Sequence, residues 1–144
     1  MQAGSLPAFE DTSDAHGVPL PFRRKAQLAA ADLHLRFGGG DELFNFTDAA
    51  ELAPDSGAYA AAQLRKRGCL QCDQALERII ADRSELPAGA QERILRAGAV
   101  VAGHQVAAAV GVEAWQLSRW MQHQIDMGRE PGLMPHQTPA TAAY

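Results

Sequence analysis

Residues 103–122, GHQVAAAVGVEAWQLSRWMQ, place apolar side chains at Val106, Val110, Val112, Leu117 and Trp120 with small or polar residues between them. That spacing predicts two short helices, 103–110 and 114–125, joined at Gly111 in the shape of a helix-turn-helix. Ala107, four residues before the glycine, is the small residue that a close helix crossing needs. Gly111 supplies the positive φ of the turn at no steric cost. Leu117 and Trp120, one turn apart, give the second helix its buried stripe.

The same pattern reading extends upstream. Ala26, Ala29, Ala30, Leu33 and Phe37 predict a helix over 23–37, ended by the Gly38-Gly39-Gly40 run. That triplet lacks the Lys-Ser/Thr and strand context of a phosphate loop and reads as a linker. Thr47 can cap a short helix through Leu52, Pro54-Asp55-Ser56-Gly57 forms a turn, and a helix over 58–67 stops at Gly68. Residues 41–72 therefore read in one of two ways. The ending LRKRGCL is similar to the close of a winged-helix recognition helix, although Pro54 and Asp55 replace the usual apolar residue and Gly; the alternative is an Ala-rich helical hairpin with a solvated basic end. Asp73 caps a helix bearing Leu76, Ile79 and Ile80, which breaks at 84–89 around Pro87. A further helix spans 90–97, with Ile94 and Leu95 inward and Arg93 and Arg96 outward, and Gly98 ends it or marks a bend.

Both ends read differently. Residues 1–20 are polar and acidic, with Pro7 and Pro19 followed by Pro21, and read as a flexible arm; residues 130–144, rich in Pro, Thr and Ala, read as disordered. The resulting expectation is a mainly α protein: a flexible arm with one helix (1–40), the winged-helix-like or hairpin unit (41–72), a helix-turn-helix domain (73–129) and a tail (130–144).

Composition changes this picture modestly. The chain has 144 residues and is 47% hydrophobic, but much of that is Ala, which predicts a thin core and stabilisation by self-association as a homo-oligomer. No basic stretch leads into an apolar run at the start, and His104, Gln105 and Glu113 interrupt the most apolar region, so neither a secretory signal nor a membrane span is expected. The expected location is cytoplasmic. The net charge of −4 opposes nucleic-acid binding, yet residues 1–57 carry −5 and residues 58–144 carry +1, leaving the motif outside the acidic region.

Candidate chemistry is sparse. Cys69 and Cys72 have zinc-ligand spacing, but no second pair completes a site, and they read as ordinary thiols. No carboxylate pair, nucleophile triad or nucleotide fingerprint stands out, so no catalytic residue, metal or cofactor is expected. A helix-turn-helix that binds DNA sets the head of its second helix in the major groove. The outward positions for such contacts are Ala114, Trp115, Gln116, Ser118, Arg119 and Gln122, with Arg93 and Arg96 as backbone clamps. Gln can pair with adenine and Arg with guanine, Ser118 can donate to a phosphate, and Ala114 can meet a thymine methyl. The bland alternative is a solvated surface for Arg119, Gln116 and Gln122. An exposed Trp115 points to a base step or to a protein partner.

On Ala107, Val110, Gly111, Val112, Gln116, Ser118, Arg119 and Trp120, preceded by QERILRAG, the region 91–125 resembles the bacteriophage CII family of transcriptional activators. The resemblance implies an all-helical oligomeric regulator of phage or prophage type that binds double-stranded DNA, with RNA polymerase as a further partner. Two departures stand against it: Ala114 and Trp115 replace basic residues early in the recognition helix, and the long N-terminal region has no counterpart. The rival expectation is a non-catalytic, protein-binding adaptor anchored by Trp115.

Overall fold

The computed structural model describes residues 7–15 and 17–139. A 3-10 turn (Pro7–Phe9) leads into an antiparallel hairpin of β1 (Thr12–Ala15) and β2 (Val18–Pro21), paired Thr12 to Pro21 and Ala15 to Val18. Five α-helices follow: α1 (Arg24–Phe37), α2 (Ala58–Lys66), α3 (Gln74–Ala81), α4 (Ala90–Val110) and α5 (Ala114–Asp126). The fold is mainly α, as the periodicity predicts.

Local chemistry sets the helix ends. Asp73 caps α3 by accepting the Leu76 N–H at 2.7 Å. Glu113 and Gln116 form a reciprocal capping box at the head of α5. Gly111 takes φ 74° between α4 and α5, which meet at a 100° bend. The core gathers Ala60, Ala61 and Leu64 of α2, Leu76 and Ile80 of α3, Leu86 of the segment between α3 and α4, Leu95, Ala99, Ala102 and Ala107 of α4, and Ala114, Leu117 and Met121 of α5. Its alanines let α2, α4 and α5 approach closely.

Several expectations need correction. The predicted break at Gly98 does not occur, because α4 runs unbroken for 21 residues through Gly98 and Gly103. These glycines admit neighbours instead: a Cβ at Gly103 would lie 2.8 Å from Pro54 Cβ, and one at Gly98 would lie 3.0 Å from Leu70 Cδ1. Residues 7–15 and 17–21 form the 3-10 turn and hairpin rather than an arm without structure. Beyond Thr47 there is a single 3-10 turn (Ala49–Glu51), not a helix through Leu52. Among the described residues no strand follows α2, so the winged-helix reading of LRKRGCL has no wing.

Residues 130–139 are also built into the fold. Glu130 pairs with Lys66 and Arg67, the Leu86 N–H donates to the Gln137 carbonyl at 2.7 Å, and His136 is buried. Residues 1–6, 16 and 140–144, which include parts of the predicted arm and tail, lie outside the described residues. No single helix among the described residues is long and apolar enough to cross a membrane.

Candidate functional site: a buried arginine–carboxylate cluster

The strongest concentration of charge inside the protein lies where the hairpin, the start of α1, the 52–57 loop and α4 meet. Arg96 of α4 is 1% exposed. Its Nη1 donates to Asp11 Oδ1 at 2.8 Å, its Nη2 donates to Asp11 Oδ2, and the same Nη2 reaches Ser56 Oγ at 3.2 Å. Glu92, one turn earlier on α4 and also buried, lies 3.7 Å from Arg96 Nε. The guanidinium stacks over the Phe22 ring, 4.0 Å from its centroid. A fork-shaped cation is suited to such a place, because it meets a carboxylate in two parallel bonds and an aromatic face at once.

Asp11 links this cluster to a second ion pair. It accepts the Arg24 N–H on Oδ2 at 3.3 Å, and its carbonyl accepts the Arg23 N–H at 3.0 Å. Arg23 itself has φ 46°, in the left-handed region that a non-glycine residue occupies only when its surroundings hold it there. Arg24 then turns toward Asp55, donating from Nε to Oδ1 at 2.5 Å and from Nη2 to Oδ2 at 3.3 Å.

The 54–57 loop is pinned from all sides. Asp55 Oδ1 also accepts the Gly57 N–H at 2.9 Å, while the Asp55 N–H donates to Ser118 Oγ of α5 at 2.7 Å. Pro54 lies against Gly103, and a Cβ on Gly57 would fall 2.4 Å from Arg24 Nε. The side chains of Asp11 and Glu92 are each 6% exposed, whereas that of Asp55 is 10% exposed. Asp55 is therefore the carboxylate nearest to solvent.

Chemically, the arrangement holds three carboxylates and two guanidiniums in a water-poor setting. Such a site can stabilise positive charge developing on a bound molecule, because its dipoles are fixed in advance. Among the described residues no group of three or more His, Cys, Asp and Glu has the geometry to hold a metal ion.

The residues expected to read DNA do not form an outward row. Ala114, Trp115 and Ser118 are buried. Trp115 packs edge-on to His34, with ring centroids 5.7 Å apart, and Trp120, expected inside, is 49% exposed with Arg67 5.5 Å from its ring. Gln116 Oε1 accepts the Glu113 N–H within the capping box. Arg119 pairs with Asp32 at 3.0 Å and Gln122 donates to Asp126 at 2.8 Å. Arg96 is interior rather than a clamp on phosphates, and Arg93 is half-buried beside the hairpin.

Comparison with known proteins decides the family. The sequence model of the queuosine salvage protein family matches residues 2–127. The chain belongs to the queuosine salvage protein family. It is also 27% identical over 146 aligned positions to the queuosine 5'-phosphate N-glycosylase/hydrolase of Sphaerobacter thermophilus, an alignment covering 97% of this chain and 45% of that protein. The chain thus spans less than half the length of this curated relative.

These findings overturn the regulator. A phage CII-type activator, its double-stranded DNA and RNA polymerase partners, and the non-enzymatic adaptor all give way to a salvage family with a relative named for an enzyme activity. The Ala-rich helix, glycine turn and second helix behind the resemblance form a packing unit, and function resides in sites carried by such units rather than in the units themselves. Sequence reasoning also missed Asp11, Phe22, Arg24, Asp55, Ser56 and Glu92. The available signal was a Pro-Asp-Ser-Gly loop and two arginines after an aromatic residue, whose ion-pair partners lie far away in sequence.

Proposed function

We propose that this chain acts in queuosine salvage by hydrolysing the N-glycosidic bond of queuosine 5'-phosphate. The observation that carries the reading is the family match across residues 2–127, supported by the relative's named activity. Hydrolysis transfers a water oxygen to the sugar C1' as the C1'–N bond breaks. The bonding pair leaves on the base nitrogen, a proton from water ends on the base, and the products are the free base and the sugar 5-phosphate.

The transition state of such a cleavage carries positive charge on the sugar ring, so a fixed carboxylate beside it lowers the barrier. We assign that role to Asp55, the least buried carboxylate of the cluster. Arg24 and the Gly57 N–H hold its orientation. Ser118 fixes the backbone of its loop, and Arg96, Asp11 and Phe22 are positioning residues behind it. A cytoplasmic location accompanies this reading.

The test is to incubate queuosine 5'-phosphate with the purified chain, alone and mixed with the segment of the Sphaerobacter enzyme that the chain does not match, and to follow free base by chromatography. Release in either mixture, reduced at least roughly a hundredfold by Asp55→Asn, is the expected outcome, as for loss of a transition-state charge partner. Absence of release in both mixtures, with the chain folded by circular dichroism, overturns the activity. Full release by Asp55→Asn overturns the assignment of the carboxylate.

A further inference from the structure

The loop that carries Asp55 has an unusual support. Among the described residues, the N–H groups of 53–57 donate to no backbone carbonyl, and Pro54 has no N–H to give. Those of Ala53, Asp55 and Gly57 end on side chains instead. The Ala53 N–H donates to Gln27 Oε1 at 3.0 Å, the Asp55 N–H to Ser118 Oγ at 2.7 Å and the Gly57 N–H to Asp55 Oδ1 at 2.9 Å. Backbone donors withdrawn from water need partners, and here α1 supplies one at the start of the loop and α5 another in its middle. The shape of the loop is therefore set by side-chain acceptors from distant parts of the sequence rather than by a backbone ladder.

Gln27 is half-buried and stands three residues after Arg24 on α1, so both side chains leave the same face of that helix. Arg24 grips the Asp55 carboxylate, while Gln27 grips the backbone two residues before it. Between the two holds lies Pro54, seated against Gly103. Proline fixes its own φ, so a shift at Ala53 passes on to Asp55 instead of being absorbed by rotation at residue 54. We propose that Gln27 is a positioning residue for Asp55: its carbonyl oxygen fixes the start of the loop and thereby the place of the carboxylate. Without that acceptor the Ala53 N–H is left unmatched in a half-buried place, and the loop moves to find water. Arg24 then draws the carboxylate with it, and the charge no longer sits where the sugar cation forms.

The catalytic consequence rests on the proposed role of Asp55, whereas the hold on the loop does not, and two readouts separate them. Gln27→Met keeps the length of the side chain and removes the acceptor; Gln27→Glu restores an acceptor at the same reach. Amide hydrogen exchange of the full chain, read residue by residue by NMR, reports the loop. In Gln27→Met the Ala53, Asp55 and Gly57 amides should exchange at least about tenfold faster, with the amides of α4 unchanged as the control for folding, and Gln27→Glu should recover the slow exchange. Hydrolysis of queuosine 5'-phosphate reports the chemistry, with the chain alone and mixed with the unmatched Sphaerobacter segment. Gln27→Met should lower kcat by about ten- to a hundredfold, as for a misplacement of about 1 Å, with KM changed less than about twofold and kcat recovered in Gln27→Glu. Faster exchange at Ala53 alone overturns the proposal, as does full kcat in Gln27→Met or a loss that Gln27→Glu does not recover. Absence of hydrolysis by the unaltered chain counts against the proposed function alone, and the exchange comparison still decides whether Gln27 holds Asp55 in place.

Discussion

Replacing Arg96 by Met tests whether the buried cluster holds the fold together. Met retains much of the side-chain length and removes the cation. Lost with it are the two bonds to Asp11, the bond to Ser56 and the stack on Phe22. Asp11 and Glu92, each 6% exposed, then remain inside without the guanidinium between them. Removing one partner of a buried ion pair typically costs about 3–5 kcal/mol, because the remaining charge stays desolvated. For a chain of this size that lowers the melting temperature by roughly 10–15 °C, at about 3 °C per kcal/mol. Urea denaturation followed by tryptophan fluorescence measures it directly, with an unchanged slope showing that the folded and unfolded states keep their compactness. Adding Asp11→Asn to Arg96→Met should restore part of the loss, since the stranded charge is removed. A loss below about 1 kcal/mol for Arg96→Met, or no recovery in the double variant, would refute the reasoning.

Two further perturbations probe the elements around the cluster. Gly103→Ala should destabilise the protein by about 1–2 kcal/mol, because overlap with Pro54 costs more than the helix propensity gained. Gly98→Ala, whose methyl meets only the end of the Leu70 side chain at 3.0 Å, should be much milder, and equal effects in denaturation would contradict this account. The buried His136 side chain has its pKa lowered to about 4 by burial first, then by the charges of Arg65 and Arg96. Since the folded value lies below the unfolded one of about 6.5, the unfolded chain binds more protons between these limits. Stability should therefore be complete above pH 6.5 and fall by up to about 3 kcal/mol as pH drops toward 4. His136→Leu should flatten that fall, and an identical pH profile for the variant would sink the assignment.

Helix periodicity alone recovers α1, α2, α5 and the Gly111 turn within a residue or two of their positions, because each is bounded by residues whose backbone preferences act locally. Helix α4 reads as two helices because Gly98 resembles a stop, and only the presence of Leu70 and Pro54 beside Gly98 and Gly103 explains their use. The two tryptophans exchanged places for a similar reason. Trp115 is buried by His34, which comes from α1, far away in sequence. The site was less legible still. Asp11 and Arg96 are 85 residues apart and Arg24 and Asp55 are 31 apart, so no local pattern pairs them. Asp11 reads as part of an acidic arm until the hairpin folds it beneath α4. Arg96 reads as a solvated or phosphate-binding side chain, since the groups that bury it, Asp11, Phe22 and Ser56, come from distant parts of the sequence.

The most direct test of the central claim is the incubation of queuosine 5'-phosphate in ¹⁸O-labelled water, with mass spectrometry of both products. The account predicts that the free base appears unlabelled and that the sugar 5-phosphate carries a single ¹⁸O, delivered to C1', with both products lost in Asp55→Asn. Intact substrate after incubation with the chain and with its mixture with the unmatched Sphaerobacter segment, or a sugar phosphate without the label, would contradict it.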